Sequence, residues 1–324
     1  ISRKPSTVWC RRCRPCFDKR TMMRRRNLHS TGVDGALVVD KPAGITSHDV
    51  VENVRRVVGT RVGHTGTLDP AATGVLVLVL GRATRLAPFL TAADKEYLAA
   101  VRLGVVTDTY DREGRVLAQN PVPDIGPTEI ARMLQDFLGT VEQTVPPYSA
   151  VRVAGERLYK AARRGEIPEL PKRRVRIREL ELVDRRTDRL VIRLVCSSGT
   201  YVRSLAHELG RKIGCGAILE ELRRTRSGSF RLEQARSLEC ILEDWKTYLL
   251  PPEELLPELP AVVLAECQVR RIRHGNPIPA EQEPRRSSAL ETGWVRLLHE
   301  GKLVALGRYA GDEIQPKIVI SPTD

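Results

Sequence analysis

The longest uninterrupted apolar run in the sequence, Val75 to Leu80, spans six residues and alternates Val with Leu. A helix crossing a bilayer takes about 18 such residues or more. The run therefore reads as one buried strand, and no stretch predicts a membrane span or a membrane partner. Gly35 to Asp40 reads as a second short buried strand, followed by a turn at Lys41-Pro42-Ala43-Gly44. Thr46 and Asp49 then form a capping box ahead of a helical stripe of Val50, Val51, Val54, Val57 and Val58, which Gly59 stops. Further strands are expected at Tyr97 to Leu103, Val175 to Leu182 and Leu190 to Cys196. Helices are expected from Pro127 to Gly139, with Ile130, Met133, Leu134 and Phe137 on one face, and from Tyr201 to Lys212, closed by Gly214. Strands and helices mix without a regular βαβ rhythm. That pattern predicts an α+β fold with a mixed, largely antiparallel central sheet and flanking helices.

Prolines 251, 252, 257 and 260 cluster where the pattern changes. They divide the chain into a basic tail at 1–33, expected to be disordered, a main domain at 34–252 and a small β-rich domain at 253–324. Short strand-like pieces at Ala261 to Leu264, Trp294 to Leu298 and Leu303 to Leu306 make up the last. At 324 residues the chain exceeds what one core usually organises.

The formal charge of +13 suggests a polyanionic partner, and its distribution narrows the suggestion. Residues 1–33 hold ten Lys or Arg against one acid, Asp18, so most of the excess sits in the tail. Within the body, Arg152 to Arg186 carries twelve basic and six acidic residues, with Arg223, Arg224, Arg226 and Arg231 close behind; both segments read as a basic face. Seven cysteines, an odd number, fit a reducing compartment such as the cytoplasm better than a disulfide framework. Cys10, Cys13 and Cys16 have zinc-like spacing but only His29 nearby as a fourth ligand, so no metal site is expected. Met22 or Met23 reads as a candidate translation start. If the Arg-rich tail instead acts as a presequence, a mitochondrial address follows.

Chemistry concentrates in the loop GHTGTLDPAATG at 63–74, where glycines and small hydroxyls surround one acid. Gly63 and Gly66 permit close backbone approach, and Pro70 fixes the chain just after Asp69. Asp69 is thereby presented rigidly, either as a nucleophile or base or as an Asx turn capping the next element. A Walker phosphate loop is excluded because Gly-Lys-Ser/Thr is missing. No histidine lies in a nucleophile-elbow context, so a hydrolytic triad is excluded too.

Five collinear motifs carry a family resemblance: KPAG at 41–44, GHTGTLDPAATGVL at 63–76, DKEY at 94–97, PPYSAVR at 146–152 and SSGTYVRSLAHELG at 197–210. In order and spacing they resemble the TruB-type tRNA pseudouridine synthases, over residues 35 to about 250. HGNPIP at 274–279 and GKLVALGRY at 301–309 are similar to that family's small RNA-binding, PUA-like module. The resemblance implies a pseudouridine synthase fold and a cofactor-free, metal-free isomerase. Its substrate would be the T-loop uridine at tRNA position 55, reached through the T arm by a monomer without guide RNA. It implies Asp69 as the catalytic aspartate, Tyr97 as the ring that stacks on the flipped base, and Arg203 as the partner that aims Asp69. It further implies His64 at the RNA, Lys41 organising the catalytic loop or else standing as a solvated turn cation, and Tyr201 supporting the pocket. An RNA-binding or tRNA-folding protein without isomerase activity is the alternative reading, and a DNA-binding module draws only on net charge.

Overall fold

The computed structural model describes residues 32–149, 151–153, 155–166, 169–280 and 293–320. The expectations for the cysteine triplet, the translation start and nearly all of the basic tail lie outside them. The chain runs through β1 (Gly35–Lys41), α1 (Ser47–Val58), β2 (Val62–His64), β3 (Thr73–Leu80), α2 (Ala87–Ala92) and β4 (Lys95–Leu103). A hairpin of β5 (Val105–Thr107) and β6 (Val116–Gln119) precedes α3 (Pro127–Gln135) and β7 (Gly139–Thr144). Next come the small β8 (Arg152–Val153) and β9 (Glu156–Arg157), α4 (Leu158–Arg163), β10 (Lys172–Arg185), β11 (Arg189–Cys196) and α5 (Val202–Ile213). The main domain closes with β12 (Ala217–Ser227), β13 (Phe230–Arg231), β14 (Arg236–Ser237) and α6 (Leu238–Asp244).

One large sheet runs in the order β14-β1-β3-β12-β4-β11-β10-β7, with β2 on β3 and β13 on β12. Its pairings are antiparallel except β1 with β14 and β3 with β12, the mixed α+β architecture that the pattern predicted. The alternating Val/Leu run explains the layering. In β3, Leu76, Leu78 and Leu80 join the cluster packed by α1, α5 and α6, whereas Val75, Val77 and Val79 face a second cluster on the opposite side. Side chains alternate between faces along a strand, so a run apolar at every position belongs to a strand covered on both.

The cover on the second face comes from the C-terminal residues. Leu255, Leu256, Leu303, Leu306 and Ile320 pack with Ala36, Val38 and the three β3 valines. They belong to the Pro-rich connection and to a five-stranded sheet of β15 (Ala261–Val263), β16 (Ile278–Pro279), β17 (Trp294–His299), β18 (Lys302–Ala310) and β19 (Glu313–Val319), with α7 (Glu266–Arg273) against it. Phe89 meets Trp294 edge-on at 4.7 Å across the junction.

Local chemistry sets the helix that braces the site. The Thr46 hydroxyl accepts from the Asp49 amide at 3.0 Å, and the Thr46 amide donates back to the Asp49 carboxylate at 2.9 Å. Gly59, left-handed at φ 71°, ends the helix. Val57, expected in the apolar stripe, is instead 44% exposed, because the inward face is made by Val50, Val51, Val54 and Val58.

Helix α5 lies so close to the sheet that Gly210 is its contact point: a Cβ there would sit 2.1 Å from the Ala217 amide nitrogen. Alanine normally stabilises a helix over glycine by about 1 kcal/mol. Gly210→Ala is expected to reverse that sign and destabilise by about 2 kcal/mol, since backbone must move. A urea midpoint equal to or above that of the unsubstituted protein would contradict the close packing.

Candidate active site

The loop between β2 and β3 is pinned by two side chains and one backbone amide. The Ser47 hydroxyl, buried at the start of α1, accepts from the Leu68 amide at 2.8 Å and donates to the Leu68 carbonyl at 3.0 Å. The Gly44 amide and the Lys41 ammonium both donate to the Pro70 carbonyl, at 2.9 and 3.1 Å. Lys41 also donates to the carbonyls of Pro42 and Ile45, at 2.8 and 2.7 Å. Its side chain is fully buried, so the solvated turn cation is ruled out. Nor does Lys41 line the cavity beside Asp69; it fastens the loop. Burial lowers its pKa to about 8, opposed by the charge of Asp69.

Asp69 stands at the crest of this loop, its side chain 45% exposed. Its carboxylate caps no following element; it faces Arg203, with Nε to Oδ2 at 3.1 Å and Nη2 to Oδ1 at 3.4 Å. Two contacts from a planar fork fix direction as well as charge. The guanidinium is itself buried and fully engaged: Nη1 meets Asp111 Oδ2 at 3.3 Å and donates to the Thr109 carbonyl, and Nη2 donates to the Tyr148 carbonyl at 3.2 Å.

Arg203 is the second residue of α5, and the start of that helix is clamped to the sheet. Gln143 on β7 donates to the Tyr201 carbonyl at 3.0 Å and accepts from its amide at 2.7 Å. The Ser204 hydroxyl donates to the Thr144 carbonyl at 2.8 Å. The SSGT segment before it turns at Gly199, φ 81°, a backbone region that glycine enters without steric cost.

A cavity of about 320 Å³ opens beside the pair, within the size range of small-molecule pockets. Asp69 and Arg203 line it with Tyr97, Tyr148, Tyr201 and Arg224. Tyr97, on β4, is 8% exposed. Burial pushes its phenol pKa up, against the charge of Arg224. Tyr201 carries the Arg173 guanidinium 5.5 Å from its ring centroid at the rim. Ser149 lines the cavity with a buried hydroxyl that has no partner among the described residues, leaving an acceptor and a donor for a polar ligand. His64 lies at the foot of the loop, half-buried and outside the cavity lining, where burial lowers its pKa first and Arg224 second.

Sequence reading brought Asp69, Tyr97, Arg203 and Tyr201 to this cavity and missed Asp111, Gln143 and Arg224. The Asp111 carboxylate accepts from the Thr109 hydroxyl and the Glu113 amide, a turn legible in TDTYDREG, but nothing in sequence tied it to Arg203. Arg224, grouped by sequence with a basic face, is only 2% exposed. Among the described residues no cluster of His, Cys, Asp and Glu could hold a metal ion.

Comparison with known proteins places the chain among enzymes of one kind. The model of the TruB family pseudouridylate synthase N-terminal domain matches residues 55–202, and that of the tRNA pseudouridylate synthase B C-terminal domain matches residues 203–261. A tRNA pseudouridine synthase B of Solibacter usitatus is 43% identical over 281 residues, covering 85% of this chain and 95% of that one. Another, of Roseobacter denitrificans, is 41% identical over 315 residues, covering 94% and 100%. Among solved structures, an H/ACA ribonucleoprotein bound to a substrate RNA containing 2'-deoxyuridine aligns with TM-score 0.68 and 25% identity, covering 89% of this chain and 85% of that one.

Proposed function

Because the chain belongs to the TruB family of pseudouridylate synthases, we propose that it isomerises a tRNA uridine to pseudouridine, at position 55 in the T loop. The observation that carries this reading is the forked Asp69–Arg203 pair at the mouth of a cavity lined by Tyr97. In the isomerisation the bond between N1 and C1′ breaks, the uracil turns in place and C5 bonds to C1′. The C5 proton is lost and N1 gains one, so atoms balance without a redox or group-carrying partner. Such a sequence asks for a carboxylate at the nucleoside, a platform for the loose base and walls that keep it from leaving. Asp69 supplies the first, aimed by Arg203. Tyr97 supplies the second, with its phenol at hand for proton transfer.

The uridine reaches the cavity only if it swings out of the folded T arm, at a cost of a few kcal/mol. Stacking in the cavity and phosphate contacts offset that cost. Arg174 and Arg176, exposed on β10, suit such contacts, as does His64 near the loop. The main domain at 34–252 carries the chemistry and residues 253–324 add RNA-binding surface. The protein acts in the cytoplasm, as a monomer and without a guide RNA.

Incubating purified protein with an unmodified tRNA transcript, without added metal or nucleotide, tests this. Carbodiimide mapping is expected to find pseudouridine at position 55. Bound tRNA carrying none would favour the binding or folding protein instead.

A further inference from the structure

Beneath the cavity lies a buried cation with no counter-ion. Arg224 is among the largest fully buried side chains. Its neighbours on β12, Arg223 and Arg226, face Asp40 and Glu96; Arg224 forms an ion pair with no carboxylate among the described residues. Its donors go to backbone instead, Nε to the Val75 carbonyl at 2.6 Å and Nη2 to the Gly66 carbonyl at 3.0 Å. The strand register sets Arg224 opposite Tyr97 on one side and Gly74 on the other. At Gly74, φ 102°, a Cβ would lie 2.2 Å from the Arg224 carbonyl oxygen, so the two backbones are locked at close approach. The guanidinium thus ties the loop at Gly66 to the strand that follows it at Val75, and as direct cross-strand partners Arg224 and Tyr97 share one face of the sheet and line the same cavity.

An unpaired buried guanidinium is costly, by several kcal/mol, and a scaffolding role alone would be served as well by paired or neutral donors. We propose that Arg224 is a positioning residue of the reaction, acting through Tyr97: it holds and polarises the phenol oxygen so that the tyrosine meets the extruded base in one orientation. The inference rests on the isomerase reading above. Its charge also bears on Lys95 in the cavity lining and on Lys41 and His64 near the loop, each of which it disfavours as a cation. The field of Arg224 therefore reaches the site from below, while the Asp69 carboxylate across the cavity is held by Arg203.

Single-turnover conversion of tRNA by Arg224→Gln, Arg224→Lys, Tyr97→Phe and the Tyr97→Phe/Arg224→Gln double variant separates the roles, with tRNA affinity measured beside each. Arg224→Gln is expected to slow conversion about 100-fold while leaving affinity within about two-fold. Arg224→Lys is expected to recover to within about ten-fold of the unsubstituted rate, because charge is kept. A lysine cannot fork to both carbonyls, so a purely scaffolding arginine would not be rescued. In the Tyr97→Phe background the glutamine change is expected to cost less than about three-fold, as residues acting in series are non-additive. Arg224→Gln converting at near the unsubstituted rate, lysine as poor as glutamine, or an undiminished glutamine effect in the phenylalanine background would each overturn the inference. Should the glutamine variant fail to fold, or Tyr97→Phe convert too slowly to measure, the lysine variant decides. An inactive unsubstituted protein would sink the isomerase reading itself, and that is seen before any variant is read.

Discussion

Asp69→Asn is expected to bind tRNA and to form no pseudouridine. The substitution is nearly isosteric, and the loop that carries it is pinned through Ser47, Gly44 and Lys41 rather than through the carboxylate. Fold and affinity therefore survive. What disappears is the one acid among the described residues that line the cavity, which the proposed reaction needs at the nucleoside. Removing a group of this kind costs about 10⁴-fold or more in turnover. Release of tritium from C5-labelled uridine in tRNA measures it directly; a rate within about ten-fold of the unsubstituted protein would remove Asp69 from the mechanism.

Arg203→Met is expected to damage both activity and stability, which sets it apart from the Asp69 change. The guanidinium ties Asp69, Asp111 and the carbonyls of Thr109 and Tyr148 to one point. Methionine fills the space but takes the guanidinium donor from each of those groups, although Asp111 keeps the Thr109 hydroxyl and the Glu113 amide. Asp69 can turn to water, being nearly half exposed; Asp111, at 19%, is less able to. The expected loss of stability is about 2 kcal/mol, below the range for a wholly buried pair because of that exposure. Turnover is expected to fall about 10³-fold, as the carboxylate loses its fixed direction. Urea denaturation followed by circular dichroism reads the first and tritium release the second. Unchanged stability with lost turnover would mean that the surrounding acids are carried by other contacts.

The parts of this architecture that were legible in sequence are those where one residue pattern has one local meaning. The capping box at Thr46 and Asp49, the glycine stop at Gly59 and the apolar runs of β1 and β3 belong to this kind. The Asp69–Arg203 pair became legible through the motifs around it, since 134 positions separate the two. Strand β12 escaped notice because LEELRRTRS looks like a solvated charged segment; only the sheet reveals that Arg224 points inward while its neighbours pair with acids at the edge of the site. Strand β7 was hidden for a related reason. Gly139 served as a helix stop in the sequence reading, and the polar GTVEQT after it gave no apolar alternation, although Gln143 turns out to hold the start of α5. Buried polar side chains whose partners are backbone groups leave no periodicity to find.

The valines of β3 have a bearing on how this protein can be taken apart. Because Val75, Val77 and Val79 look away from the site into a cluster completed by Leu255, Leu303 and Ile320, the Pro-rich connection and the C-terminal sheet roof the very strand that launches from the Asp69 loop. Trimming them would bare a sticky apolar floor along that strand, and the shortened enzyme would clump before it could be assayed.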